Sequence, residues 1–191
     1  YRPSGEALCR RLLKGQGLYQ IDTIVDLINL VSLKTGYSIG GFDADKIEGN
    51  LRLGVGRANE PFEAIGRGTM NIEGLPVYRD SIGGIGNPSS DEERTKITSE
   101  TKHLLMLING YSGADGLKEA VDYSLELLRK YAYIMNCMCV YFFQVRSFKY
   151  FIYFFYRIRS TNSNNRNTTC PKRCCYRTNR FNHLYDAPNL L

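Results

Sequence analysis

Apolar residues at Ile21, Ile24, Val25, Ile28 and Val31 recur at spacings of three and four, which lays one stripe along a helix ending near Gly36. A shorter helix precedes it, capped by Ser4, carrying Leu8, Leu12 and Leu13 and stopped by Gly15 and Gly17. From Ser38 to Met70 the period shortens and glycine recurs. Asn50 to Val55 alternates polar and apolar as a half-buried strand does. A strand near Leu75 to Tyr78 leads into Ser81 to Ser90, SIGGIGNPSS, whose Gly, Asn and Pro cluster predicts a turn. Leu104 to Ile108 is a continuous apolar run of strand length. Ala114 to Ala132, with Leu117, Val121, Leu125 and Leu128 on one stripe, is the clearest helix. Helices at both ends of a strand-rich middle predict an α+β domain, not βαβ repetition.

Charge divides the chain. Residues 1–133 hold 16 Lys and Arg against 18 Asp and Glu, a balance of −2, while residues 134–191 hold 9 against 1, a balance of +8. The net charge of +6 therefore comes from the second part and is no evidence that the first binds nucleic acid. RNA binding by residues 1–133 would depend on local clusters such as Arg10, Arg11 and Lys14. All 18 glycines lie at or before Gly116, and five of the six cysteines lie at or after Cys137. Residues 134–191 read as a basic, aromatic-rich tail that is out of frame, unrelated or disordered, with disorder expected from about Ser160. Arg146 and Lys149 interrupt its Phe-rich stretch, so no membrane-spanning run is expected. Cys170, Cys174, Cys175 and His183 lack the paired spacing of zinc ligands. The chain opens on Tyr1 without a targeting pattern and reads as a fragment. With Cys9 alone in the first part, a cytoplasmic compartment is expected.

Two groups of polar residues are candidates for a site. Asp26 and Asn29, three apart on the second helix, present a carboxylate and an amide either to a pocket or to solvent and capping duty. In SDEERT, Asp91, Arg94 and Thr95 could surround a polar or anionic ligand, with Arg94 supplying a planar donor fork. The competing and favoured reading is a capping box of Ser90 and Glu93 opening a short helical turn. Asp43 and Asp45 fall short of a metal-ligand set, and His103 beside Leu104 reads as structural. Gly54 to Arg57 and Gly66 to Gly68 are turns without a nucleotide-binding continuation, although Arg57 or Arg67 could meet an RNA backbone. No metal and no cofactor are expected.

Four ordered phrases resemble the B3/B4 domain, the editing region of the phenylalanyl-tRNA synthetase beta subunit: YRPSGEALCRRLLKGQGLY, TIVDLINLVSLKTGYSIGGFDADKIEG, IGRGTMNIEGLPVYRD and GNPSSDEERT. The wording is closest to small stand-alone members. The resemblance implies a three-layer domain with a β-sandwich core and flanking helices over residues 1–133, followed by the unrelated or disordered tail, 134–191. It also implies a pocket that hydrolyses a wrongly attached aminoacyl ester without a metal. On the family's pocket pattern Asn29, Phe42 and Asp43 match, whereas its threonine and histidine are Ile28 and Gly40 here, so two polar groups of that pocket are absent.

The expected function is recognition of the aminoacyl end of tRNA, with trans-editing of mischarged aminoacyl-tRNA as the associated reaction. A non-catalytic domain binding an amino acid or small ligand is the alternative, and an inactive truncated product a third. The chain is not a complete synthetase. Its expected partner is tRNA or aminoacyl-tRNA and not a membrane, with the catalytic residues and the oligomeric state open.

Overall fold

In the computed structural model the described part comprises residues 2–111, 113 and 115–132 with their side chains, and strand backbone at 134–145 and 148–158. The elements run α1 (Ser4–Leu13), α2 (Thr23–Thr35), β1 (Ser38–Asp43), β2 (Arg52–Val55), β3 (Glu63–Ala64), β4 (Gly68–Thr69), β5 (Pro76–Arg79), β6 (Gly84–Asn87), β7 (Ser90–Asp91), β8 (His103–Gly110), α3 (Leu117–Tyr131), β9 (Ile134–Val145) and β10 (Phe148–Ile158).

The boundaries of α2 have clear local causes. The Asp22 carboxylate accepts the Ile24 amide at 2.8 Å, and Gly36 closes the helix at φ 78°, a left-handed conformation that a side chain would strain. Ile21 lies outside this helix and is exposed. Ser4 is the first residue of α1 and not its cap. Pro3 precedes it with no side-chain hydrogen bond, and the Ser4 amide donates instead to the Pro88 carbonyl at 2.7 Å.

β8 is the centre of the molecule, and its alternation builds the layers. Leu104, Met106 and Ile108 face α2 and α3, and Leu105 and Leu107 face a second sheet. All five are essentially inaccessible, and each contributes about 1.5–3 kcal/mol of apolar burial. One sheet has the order β1-β8-β10-β9 and the other β2-β5-β6-β7, with β3-β4 as a separate pair. Helices, first sheet and second sheet form the three layers expected of an α+β domain. β1 runs antiparallel to β8, pairing Gly40 with Leu107 and Phe42 with Leu105. On the other edge of β8, β10 pairs from Tyr150 opposite Gly110 to Arg157 opposite His103.

The segment expected to be a turn, Ser81 to Ser90, contains a buried strand. Gly84, Ile85, Gly86 and Asn87 are all buried, and only the residues on either side of β6 turn. Its glycines serve close packing: a Cβ on Gly84 would stand 2.9 Å from the Phe62 ring, and one on Gly86 would stand 2.6 Å from that of Phe42. Composition alone did not distinguish this use of glycine from a turn. Gly66 and Gly68, by contrast, have φ of 66° and 74° and form the expected turn between β3 and β4. The zinc and disorder expectations beyond residue 158 lie outside the described residues. No helix among the described residues is long and apolar enough to cross a membrane.

Candidate functional site

Two adjoining spaces sit where α1, α2 and the β6–β7 hairpin meet. The outer one is a groove of about 490 Å³, and its walls carry Arg2, Arg10, Arg11, Lys14 and Arg67. Asp91 is the only acidic residue on its lining. The inner one is a cavity of about 40 Å³ that shares Ser4, Ser90 and Asp91 with the groove. Gly40, Phe42, Tyr78, Asn87 and Asn109 complete much of its lining.

Three of the groove's cations come from the C-terminal end of α1: Arg10 and Arg11 lie in its last turn and Lys14 follows as its C-cap, three residues from Arg11 and four from Arg10. Arg10 is paired with Glu6 at 2.6 Å, an exposed pair of small energetic weight. Arg11 is fixed by three contacts: its Nε donates to the Gly17 carbonyl at 2.6 Å, its Nη1 to the Tyr19 hydroxyl at 2.9 Å, and its guanidinium lies 3.8 Å from the Tyr19 ring centre. Lys14 and Arg67 have no ion pair among the described residues.

Inside, the Asp91 carboxylate accepts the Gly41 amide at 3.2 Å. Although Asp91 keeps some accessible surface, its carboxyl is enclosed by neighbouring atoms, and this desolvation outweighs the Gly41 hydrogen bond and pushes its pKa up to about 7. Asn87 accepts the Ser89 and Ser90 amides through Oδ1 at 2.9 and 3.2 Å, which closes the hairpin turn. Its Nδ2 is buried and has no acceptor among the described residues. Tyr78 donates its hydroxyl to Asn109, whose Nδ2 donates to the Ser38 carbonyl at 2.9 Å. Burial raises the pKa of the Tyr78 hydroxyl, so it stays protonated.

The structure gathers some of the expected site residues and disperses others. Asn29, Arg67 and Asp91 share the groove, and Phe42 and Asp91 share the cavity. Asp26 turns away from Asn29, since its Oδ1 accepts the Ile21 amide at 3.1 Å and ties down the approach to α2. Asp43 is buried. Its carboxylate accepts the Asp45 amide and the Thr101 hydroxyl, both at 3.0 Å, and supports the chain after β1.

SDEERT is used differently from either reading of the sequence. Glu92, not Ser90, caps the 3-10 turn Glu93–Thr95 by accepting the Arg94 amide at 2.8 Å. The Arg94 fork grips Asp80 with two bonds of 3.0 Å and also donates to the Lys46 carbonyl at 3.1 Å. Arg94 therefore serves the framework and does not face the groove. Thr95 is fully buried, and its hydroxyl has no partner among the described residues. His103 meets Asp45 at 2.7 Å as part of the framework, and no metal-ligand cluster occurs among the described residues.

Asn87, Tyr78, Asn109 and Tyr19 were not singled out from sequence. The first was hidden in a segment read as a turn, and the others carry no local pattern that separates a site residue from a core one.

A family model described as the B3/4 domain matches residues 1–132. Over 104 residues the chain is 40% identical to the phenylalanine–tRNA ligase beta subunit of Bartonella henselae, covering 49% of this chain and 12% of that protein. The corresponding subunit of Bartonella quintana is 37% identical over 60 residues, covering 31% of this chain and 8% of that protein. The chain thus corresponds to a small part of the length of these relatives. The matched span holds all three helices, β1 through β8, the groove and the cavity, and the chain belongs to the B3/4 domain family.

Proposed function

We propose that residues 1–133 form a unit that recognises the aminoacyl end of tRNA, with the RNA backbone along the basic groove and the aminoacyl group at the inner cavity. The observation that carries this reading is the adjacency of the two spaces: five cationic side chains line a groove that shares Asp91 with a cavity, whose lining also holds Asn87, a buried amide donor without an acceptor among the described residues. Phosphates suit the first and a small polar group suits the second. The relatives named above are subunits of a tRNA ligase, which favours the same class of ligand.

Trans-editing extends the proposal. Water would add to the acyl carbon, the bond to the ribose oxygen would break, and that oxygen would take up a proton, releasing free amino acid and tRNA. A soluble protein acting on aminoacyl-tRNA in the cytoplasm is the setting this implies. Binding of a free amino acid alone would leave Lys14 and Arg67, which have no ion pair among the described residues, without a role in the groove, so the RNA-directed reading is preferred.

The test is a titration of the full chain with a tRNA acceptor-stem microhelix, uncharged and aminoacylated, followed by a deacylation assay. Binding that weakens steeply with salt, and is tighter for at least one aminoacylated form, is the expected outcome. Binding of free amino acids with no affinity for either RNA would overturn it. Release of amino acid from the bound ester would establish editing, and a stable bound ester would limit the function to recognition.

A further inference from the structure

The inner cavity has a size and a polarity that together select a ligand group. One water requires about 10–15 Å³ of such space, so a cavity of about 40 Å³ takes roughly three non-hydrogen atoms. A benzyl or hydroxybenzyl side chain does not fit. Phe42 sets this limit, because its own ring lies 2.6–2.9 Å from where a Cβ on Gly40 or Gly86 would stand, and it is fully buried. Core interiors do not move a ring of that kind aside without strain.

The polar inventory is equally restrictive. Asn87 offers a buried donor without an acceptor among the described residues, and the Asp91 carboxyl, which among them accepts the Gly41 amide, offers further acceptor capacity. An ammonium group only donates and would leave the Asn87 amide unmatched. A carbonyl only accepts, and is matched only while Asp91 keeps its proton; opposite an ionised Asp91 it would face another acceptor, whereas a hydroxyl is matched in either state. A methyl group matches neither, and a buried polar group left unmatched is penalised. A hydroxyl donates and accepts, and satisfies both.

We propose that the cavity is a specificity pocket for an aminoacyl side chain of serine size, whose hydroxyl accepts from Asn87 Nδ2 and donates to Asp91. This rests on the reading that the groove takes the aminoacyl end of tRNA, and it names the class of amino acid read there. Phe42 excludes aromatic side chains by volume, and Asn87 with Asp91 prefers seryl over alanyl by hydrogen bonding.

The test uses the full chain and microhelices carrying seryl, alanyl or phenylalanyl groups through a non-hydrolysable 3′-amide, with the uncharged microhelix as reference. The expected result is seryl binding on the order of tenfold tighter than alanyl, with phenylalanyl no tighter than the uncharged form. Two near-isosteric variants provide the control: Asn87→Asp keeps the acceptor for the Ser89 and Ser90 amides but removes the donor, and Asp91→Asn removes the carboxylate. Both are expected to reduce the seryl-over-alanyl ratio towards one. Equal binding of seryl and alanyl forms, phenylalanyl binding as tight as seryl, or a ratio that persists in both variants would overturn the specificity while leaving RNA recognition standing. No binding of any RNA would overturn the recognition reading and this inference with it.

Discussion

Asp91 occupies space that a side chain at Gly40 would enter. A Cβ on Gly40 would stand 3.2 Å from Asp91 Oδ1 and 2.8 Å from the Phe42 ring, and one on Gly86 would stand 3.0 Å from the same oxygen. Two strands from different sheets, β1 and β6, thus leave out side chains so that a carboxyl and a ring can lie against their backbones. On the resemblance, position 40 is a histidine in the editing pocket. Here position 40 carries no side chain, and the Asp91 carboxyl of β7 lies beside it.

Gly40→Ala is therefore expected to destabilise the fold by about 1–3 kcal/mol, because the added methyl would stand 2.8 Å from the ring of the fully buried Phe42. Gly83→Ala is the matched control, since a Cβ there meets nothing within 4 Å. Chemical denaturation of both variants checks this, and a Gly40→Ala protein as stable as the control would refute the packing argument.

The raised pKa of Asp91 predicts a pH dependence of stability with a definite sign. In the unfolded chain the carboxyl ionises near pH 4, whereas in the fold it retains its proton up to about 7. The folded state binds the extra proton across this interval, so the contribution of Asp91 to stability is greatest below pH 4, declines as pH rises towards 7, and is level above. The limiting slope is about 1.4 kcal/mol per pH unit. Between pH 5 and 7 unfolding free energy should fall for the wild type, and Asp91→Asn should flatten that fall. An identical slope in the variant would remove Asp91 as its source.

Asp80 carries the opposite sign. Burial alone would raise its pKa, but the Arg94 hydrogen bonds and the amides of Glu48, Gly83 and Ile82 outweigh burial and hold it below the usual value. Its stabilising contribution is present above the unfolded pKa near 4 and is lost as pH falls through the lower folded value. The Asp80 side chain is wholly inaccessible, and Asp80→Ala leaves the Arg94 fork without its carboxylate. A loss of about 3 kcal/mol is expected at pH 7, read by urea denaturation, with little loss of groove-directed RNA binding. Weakened RNA binding in a variant that remains folded would return Arg94 to the site.

How much of this was legible follows from which interactions are local. The α2 stripe from Ile24 to Val31, its Gly36 stop and the apolar run of β8 are local features and appear where the pattern places them, whereas Ile21 falls outside the helix. The cationic face of α1 was visible for the same reason. The roles of Asp91, Arg94 and Asp43 were not, because each is decided by a partner far along the chain: Gly41, Asp80 and Thr101 respectively. Asn87 was missed because glycine spacing in β6 has the composition of a turn, although its cause is the approach of Phe42 and Phe62. A sequence records a short side chain but not which distant ring requires it.

The groove's cations give the recognition reading its most direct prediction. Lys14 and Arg67 line it from the C-cap of α1 and from the turn between β3 and β4, and neither is in an ion pair among the described residues, so neutralising either should not break the fold. If each meets one phosphate of a bound acceptor end, Lys14→Gln and Arg67→Gln should each reduce the slope of log affinity against log salt by about 0.7–0.9, the value for one contact on single- or double-stranded nucleic acid. The double variant should lose about twice that. Arg11→Gln should do more than remove charge, because Arg11 also holds the Tyr19 ring and the Gly17 carbonyl that shape this wall. Fluorescence anisotropy with a labelled microhelix across a salt series measures all four. An unchanged slope in the Lys14 and Arg67 variants would mean that the RNA backbone does not follow this groove, and the aminoacyl end would then have to reach the Asp91 cavity by another path.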